Sequence, residues 1–549
     1  MLLCGGIWFG FTHIGQAQDV NAPASTSSTP VEVTPSTIDR APEISALKKQ
    51  PSASKTMGEM VAESENAVIS ENYAVANGPA IEAAFASLKA SKSRNIRVGL
   101  VTKGGPIALL STGTMLISDG EQVGRRMTVP PGQTATVTFG LLQKLNARGV
   151  LYEGPIEIRT AAGRFAAWRL PRLWVSGGVT RISSDGGNPR WARGYRGSFE
   201  LAPQDYSFEP AKHKSPLRLV NILPLEEYLK GVVPWEMHPS APLEALKAQS
   251  VCARSETLAK IEAGRHRLDG YDICDYDHCQ GYSGTENEKP ASSLAVEQTA
   301  GLVLYYRGRI ADAVYATNSG GMTAAKEDVW SGPDVPHLRS VRDFSPARHK
   351  DMARVVKPVM TEADWAIYCS QNLSSYAQPS QRQIEELAAR LRRSKTGPFR
   401  EGDMPEFYRW TRVVSARDMA TAVSLKMPVR EVTEIRVEER APSGHIKRLA
   451  ITGKAQDNST MSIVYEKDAK VRSILSGRLG STTALPSSTF VVTPRRENGI
   501  ITQWVFKGAG WGHGAGMCQR GAQSRAREGW TARRLLQHYF AGVEIRQVG

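Results

Sequence analysis

Several things are scarce in this sequence, and each scarcity excludes something. Aromatic residues make up only 7% of 549 positions, and beyond the amino terminus no apolar run approaches a transmembrane helix. The chain has six cysteines, Cys4, Cys252, Cys274, Cys279, Cys369 and Cys518. Removal of the amino terminus would leave five, an odd number that argues against a dense disulfide framework. Although the formal charge is +15, no lysine/arginine block resembles a nucleic-acid tail, and nucleic acid is not the expected partner. Arg390, Arg392, Arg393 and Lys395 read as a solvated helix face. What the charge does favour is an acidic surface such as an anionic cell envelope.

What is present begins with LLCGGIWFGFTHIG at 2–15, a short apolar run, with Gly15-Gln16-Ala17 as a small-x-small cleavage site. It reads as the apolar core of a signal peptide spanning 1–17, without the usual basic start. The expectation is an exported protein of the periplasm or cell envelope. Residues 18–57 are rich in Ser, Thr, Pro and Ala and cannot bury enough apolar area to offset ordering entropy, so they read as a disordered linker. A helical lead-in is expected over 58–92.

From Asn95 to about Val220, short β-branched runs separated by Gly, Pro and Asn predict an antiparallel β-rich region. Strands resume in GLVLYYRGR and ADAVYATNSGG, with a hairpin expected across Arg307-Gly308-Arg309. Residues 360–430 switch to helical spacing, β pattern returns in EIRVEERAPSGHIKRLAITG, and an amphipathic helix through Ala532, Leu535, Leu536 and Tyr539 closes the chain, with Gly542 suited to its cap. The predicted fold class is mixed α+β, a β-rich body with helices.

Four stretches carry candidate chemistry. In Ile222–Lys260, Trp235-Glu236-Met237 reads as a loop before a helix that starts near Pro242, with Ser240 as a possible N-cap. A carboxyl group against apolar surface keeps its proton more readily, as a general acid must. The segment GRHRLDGYDICDYDHCQGY sets His266, Cys274, His278 and Cys279 within fourteen residues. That set suits a tetrahedral, structural zinc, and a Cys274–Cys279 disulfide is the competing reading. Asn318-Ser319-Gly320-Gly321 follows a strand, as a ligand-lining loop or a plain turn, without a nucleophile elbow around Ser319. Finally, Gly508–Gly516 holds five glycines in nine residues, with neither a phosphate-loop ending nor a dinucleotide spacing. Trp511 offers a flat face to a sugar ring, His513 a polar contact, or the whole run is a tight structural turn.

In this order, LPLEEYLKGVVPWEM…ALKAQSVCARSETLA, CDYDHCQGYSG…AVYATNSGG and GAGWGHGAGMCQRGA…LLQHYFAGVEI resemble the stage II sporulation protein D / amidase-enhancer family, from about Asn95 to the end. The resemblance implies a two-lobed, glycan-processing region over 95–549 around a glycan-binding cleft. It further implies lytic transglycosylase activity on peptidoglycan glycan strands, at the bond between N-acetylmuramic acid and N-acetylglucosamine, on strands stripped of peptides. The alternative is a non-catalytic glycan binder that stimulates a cell-wall amidase. The family's catalytic glutamate falls on Glu236 and its zinc cluster on His266, Cys274, His278 and Cys279. Trp511, His513, Gly514, Gln519, Ser319 and Gln249 are the substrate-binding candidates. Cys518 and Arg520 stand where the family more often has Ser and Tyr; Cys518 reads as a small buried hydrophobe.

Overall fold

The computed structural model describes residues 94–548 except 101–105, 120–125, 140–141, 147–148, 154–155, 161–162, 164, 169–172, 184–192, 204–216, 277, 331, 394–402 and 476–483. The expected signal peptide, linker and helical lead-in lie outside the described residues. All described residues belong to one compact unit.

The fold is mixed α+β, and its first part is the β-rich region that the β-branched runs predict. A seven-stranded sheet orders Ile273–Cys274, Asn95–Leu100, Leu217–Pro224, Ser198–Pro203, Leu173–Ser176, Met115–Ser118 and Arg126–Val129. Every pairing but one is antiparallel; Ile273–Cys274 runs parallel to Val98–Gly99 at the edge. A second, six-stranded sheet contains Ile107–Ser111, Thr134–Phe139 and Ile156–Thr160. Alternation along the strands puts Ile96, Val98, Ile107, Leu109, Val137 and Ile158 fully inside.

From the strand Leu217–Pro224 the chain passes straight into helix α1 (Leu225–Glu236), then α2 (Leu243–Glu262) and α3 (Pro290–Gln298). This corrects two expectations. Trp235 and Glu236 are not in a loop; they are the last turn of α1, which runs through Pro234. Pro234 lies so close to the end that its missing N–H costs a single bond, and Met237 N–H closes the turn on Val233 O at 2.9 Å. Nor does Ser240 cap α2: the N-cap is Pro242, without a side-chain bond, and Ser240 Oγ instead pairs with His238 Nδ1 at 2.8 Å.

Helix α2 is buried on almost every side, which explains its weak amphipathic pattern. Polar residues within it are satisfied locally. Ser250, Ser255 and Thr257 return their hydroxyls to carbonyls four residues back at 2.7–2.8 Å. Arg254, fully buried, grips Glu226 of α1 with two bonds of 2.8 and 2.6 Å. Removing one partner of such a pair leaves a buried charge alone, at a cost of about 3–5 kcal/mol.

The hairpin turns at Arg307-Gly308, both with positive φ, as a two-residue connection of twisted strands requires. The next strand does not fold back on it. Tyr315–Ala316 pairs in parallel with Met517–Cys518, and this sets Asn318–Gly321 beside the glycine-rich run.

Between these two strands lies a region with its own cores. It holds α4 (Lys326–Trp330), α5 (Lys350–Val355), α6 (Glu362–Ser370), α7 (Gln381–Arg393), α8 (Ala416–Ser424) and α9 (Asp468–Arg472). The expected helical stretch at 360–430 is interrupted by a strand, Arg409–Ser415, paired with Ile500–Ala509. Arg409 is buried there, with its guanidinium on the carbonyls of Gln371, Gly320 and Tyr408 at 2.7–2.9 Å. Trp410, Trp504, Phe490 and Phe506 fill the larger core. The strands Glu431–Arg440 and Ile446–Lys454 form the predicted hairpin. Helices α10 (Gln519–Arg527) and α11 (Ala532–Tyr539) pack against α2, and the last element is not the expected closing helix but a strand, Glu544–Gln547, paired antiparallel with Leu302–Tyr306. The cap of α11 is Phe540, two residues before Gly542.

Candidate active site and metal centre

Glu236 is half-buried at the carboxyl end of α1. The negative end of the helix dipole disfavours a carboxylate there, whereas Gly281 N–H donates to Glu236 Oε1 at 2.9 Å. The backbone of Glu236 is held separately: Gln519 Nε2 donates to its carbonyl at 2.8 Å and to Gln249 Oε1 at 3.2 Å. Gln519 opens α10 and Gln249 sits inside α2, so three helices meet at the backbone of Glu236. The amide nitrogen of Gln249 is buried without a partner among the described residues, a donor left over beside Glu236.

The donor loop is itself tightly built. Trp235 lies over Gly281, where a Cβ would come 1.9 Å from the indole Nε1. Gln280 donates to Ala253 O and Thr257 Oγ1 of α2 at 3.1 and 2.7 Å and accepts from Tyr315 at 3.0 Å. Tyr282 reaches Asn221 Oδ1 at 2.9 Å. Burial first and the charge of Glu236 second lift the Tyr315 phenol well above its ordinary range. Four of the five other carboxylates of α1 and α2 are committed to basic partners, Glu226 to Arg254, Glu227 to Lys230, Glu244 to Lys247 and Glu256 to Lys260, and the fifth, Glu262, is exposed at the far end of α2.

The residues just before Gly281 form the second constellation. One ligand atom each from His266, Cys274, His278 and Cys279 falls within 4.8 Å of the others. His266 Nε2 is 3.2 Å from His278 Nδ1 and 3.3 Å from Cys279 Sγ, and His278 Nδ1 is 3.6 and 3.9 Å from the two sulfurs. A tetrahedral ion with bonds of about 2.0–2.3 Å needs ligand edges of roughly 3.3–3.8 Å. The four atoms therefore fit a metal, and both cysteines are free thiols. Hydrogen bonding from Cys274, then from His266 and His278, holds the Cys279 thiol far below its usual range, as a thiolate ligand requires. Asp269 Oδ2 meets His266 Nδ1 at 2.7 Å and fixes the ring. Cys274 is set by the parallel edge strand, and the Cys279 carbonyl accepts from Lys260 of α2 at 2.6 Å.

The remaining candidates go elsewhere. Trp511 exchanges backbone bonds with Asn318 at 2.8 and 3.2 Å and turns its ring edge-on to Phe407, centroids 4.8 Å apart. His513 is buried against Trp330 at 4.7 Å and accepts from Ala515 N–H at 3.1 Å; burial pushes its pKa down to about 4. Gly514 has φ +73, and a Cβ there would lie 2.5 Å from His445 Nε2. Ser319 is buried, with its hydroxyl on Asp343 Oδ2 at 2.9 Å. Asp343 also takes Arg525 of α10 and Tyr539 of α11. Cys518 is buried and caps α10, its sulfur accepting from Gly521 N–H at 3.3 Å. Of the six substrate candidates, then, Gln519 and Gln249 meet at Glu236, whereas Trp511, His513, Gly514 and Ser319 serve neighbouring packing layers. Gly281, Gln280 and Tyr315 were missed. The written signal for the first two is the Gln-Gly-Tyr that follows Cys279, and Tyr315 has none.

Residues 213–306 match the family model described as Stage II sporulation protein, and 324–516 match one described as a domain of unknown function. An uncharacterized protein of Brachyspira hyodysenteriae is 26% identical over 60% of this chain and 68% of its own length. The amidase enhancer of Bacillus subtilis is 26% identical over 58% of this chain, which spans only 40% of that longer protein. Stage II sporulation protein D of Bacillus subtilis is 25% identical over 60% of this chain and 76% of its length.

Proposed function

From a chain that belongs to the stage II sporulation protein D / amidase-enhancer family, and so has a cell-wall role, we propose a peptidoglycan lytic transglycosylase with Glu236 as its one general acid and base. The observation that carries this reading is a half-buried glutamate fixed at two points, its carboxyl oxygen by Gly281 N–H and its backbone carbonyl by Gln519. Glu236 donates its proton to the glycosidic oxygen between N-acetylmuramic acid and N-acetylglucosamine, and positive charge develops on the muramic ring. The ring's own 6-hydroxyl then attacks C1 and returns its proton to Glu236, leaving a 1,6-anhydro end. No water is consumed, so a second carboxylate is not needed. The commitment of Glu226, Glu227, Glu244 and Glu256 to basic partners supports that economy. Gln249 is fully buried and accepts from Gln519, so it positions the Glu236 backbone through Gln519 and does not itself touch the glycan.

Zinc held by His266, Cys274, His278 and Cys279 would be structural, since four protein ligands leave no open position. The role of those residues is to fix the loop that ends in Gly281. The proposal also carries a two-lobed glycan cleft and export to the periplasm or envelope, where the substrate lies; cell fractionation tests the latter.

The name of the Bacillus relative favours a second reading, a glycan binder that stimulates a cell-wall amidase. Incubating the purified protein alone with peptide-stripped strands separates the two. New 1,6-anhydro ends support the enzyme; retained pulldown without them supports the enhancer.

A further inference from the structure

The N–H that reaches the Glu236 carboxyl group belongs to the peptide joining Gln280 to Gly281. The clustered His and Cys side chains fix the chain as far as Cys279. The next peptide is aimed by the side chain of Gln280, which is only 3% exposed. Its amide fits in one orientation. A carbonyl oxygen can only accept, so Nε2 is the atom that faces Ala253 O at 3.1 Å. Thr257 gives its hydroxyl proton to the same carbonyl at 2.8 Å and therefore accepts from Nε2 at 2.7 Å. Gln280 Oε1 is left needing a donor, and the Tyr315 hydroxyl supplies it at 3.0 Å. Burial and the charge of Glu236 keep the proton on that phenol.

Tyr315 arrives from a different part of the fold. Its short strand, Tyr315–Ala316, pairs with Met517–Cys518. The residue after Cys518 is Gln519, which donates to the Glu236 carbonyl at 2.8 Å. One two-stranded ribbon thus carries both reaches, Gln519 to the backbone of Glu236 and Tyr315 to the peptide that meets its carboxyl group. We propose that Tyr315 is a positioning residue for the reaction, aiming the Gly281 N–H at Glu236 by holding the Gln280 amide. The proposal rests on the reading of Glu236 as the general acid. Without the phenol proton a buried amide oxygen is left unpaired, the Gln280 side chain turns to find another donor, and the Gly281 N–H leaves the carboxyl oxygen.

Two readouts test it. On peptide-stripped strands, Tyr315→Phe is expected to lower kcat about fivefold or more, with KM within about twofold of wild type. In a Gly281→Ala background, where the N–H is already displaced, the same substitution is expected to cost less than about twofold. The second readout needs no turnover. In protein grown on isotope-labelled glycine, the Gly281 amide signal is identified by its loss in Gly281→Ala, and Tyr315→Phe is expected to move its proton upfield, as Glu236→Gln does. Gln280→Met cuts the same link from its other end and should reproduce both results. An amide signal unmoved by Tyr315→Phe and by Gln280→Met overturns the proposal. So does a full loss of kcat in the Gly281→Ala background, or a change confined to melting temperature with kcat per folded molecule unaltered. If the signal moves while wild type makes no 1,6-anhydro ends, the link from Tyr315 to Gly281 stands and the reading of Glu236 falls.

Discussion

The loop 274–281 and the glycine-rich run 508–516 look alike on paper, each a short stretch dense in unusual residues, yet they do opposite work. In the first, side chains converge on one point, and the chain that carries them delivers a single N–H to Glu236. In the second, backbone converges. Gly510, Gly512, Gly514 and Gly516 all have positive φ, and a Cβ at Gly516 would lie 1.9 Å from Val314 O. The glycines let the strand that carries the motif close against Asn318–Gly321 and His445. Glycine density therefore marks close packing as readily as it marks a ligand loop, and only the partners distinguish the two.

That contrast can be broken in order of expected effect. Cys279→Ser should lower the melting temperature by about 10 °C or more, and chelation of wild type should do the same reversibly, because ligand binding to such a cluster is folding free energy. Circular dichroism melts with and without added zinc check this; identical melts would remove the metal from the account. Asp343→Asn should cost about 3–5 kcal/mol by leaving the buried Arg525 guanidinium unpaired, as measured by urea unfolding. The glycine pair sharpens the comparison most. Gly281→Ala pushes against Trp235 and should reduce turnover about tenfold or more, whereas Gly514→Ala should lose about 1–3 kcal/mol of stability with turnover per folded molecule unchanged. Equal effects on turnover would erase the distinction.

The smallest effect is a pH dependence. His445 and His513 are both pushed from 6.5 down to about 4 by burial. Between those values the unfolded chain binds protons that the folded one refuses, so stability is full above about pH 6.5 and declines as pH falls toward 4. Melting temperatures across that window, compared with His513→Gln, should show a shallower decline in the variant.

How much of this was legible depends on where the chemistry resides. The metal cluster could be read because its ligands are side chains of rare types. The β-rich region could be read because Ile, Val and Leu alternate in Ile96–Leu100 and Ile107–Leu109. Helix α1 could not, because Pro234 counts as a stop in sequence yet costs one bond in the last turn. The strand Arg409–Ser415 was hidden by arginines that look solvated, although Arg409 is buried on three carbonyls. Gly281 was invisible for a simpler reason: its contribution is a backbone N–H, which every residue but proline carries.

The account turns on Glu236, and one measurement tests it most directly. Mass analysis of glycan products from wild type and Glu236→Gln should find 1,6-anhydro ends from the first and a loss of about a thousandfold or more in the second, with strand pulldown equal in both. Wild-type yields from Glu236→Gln would contradict it.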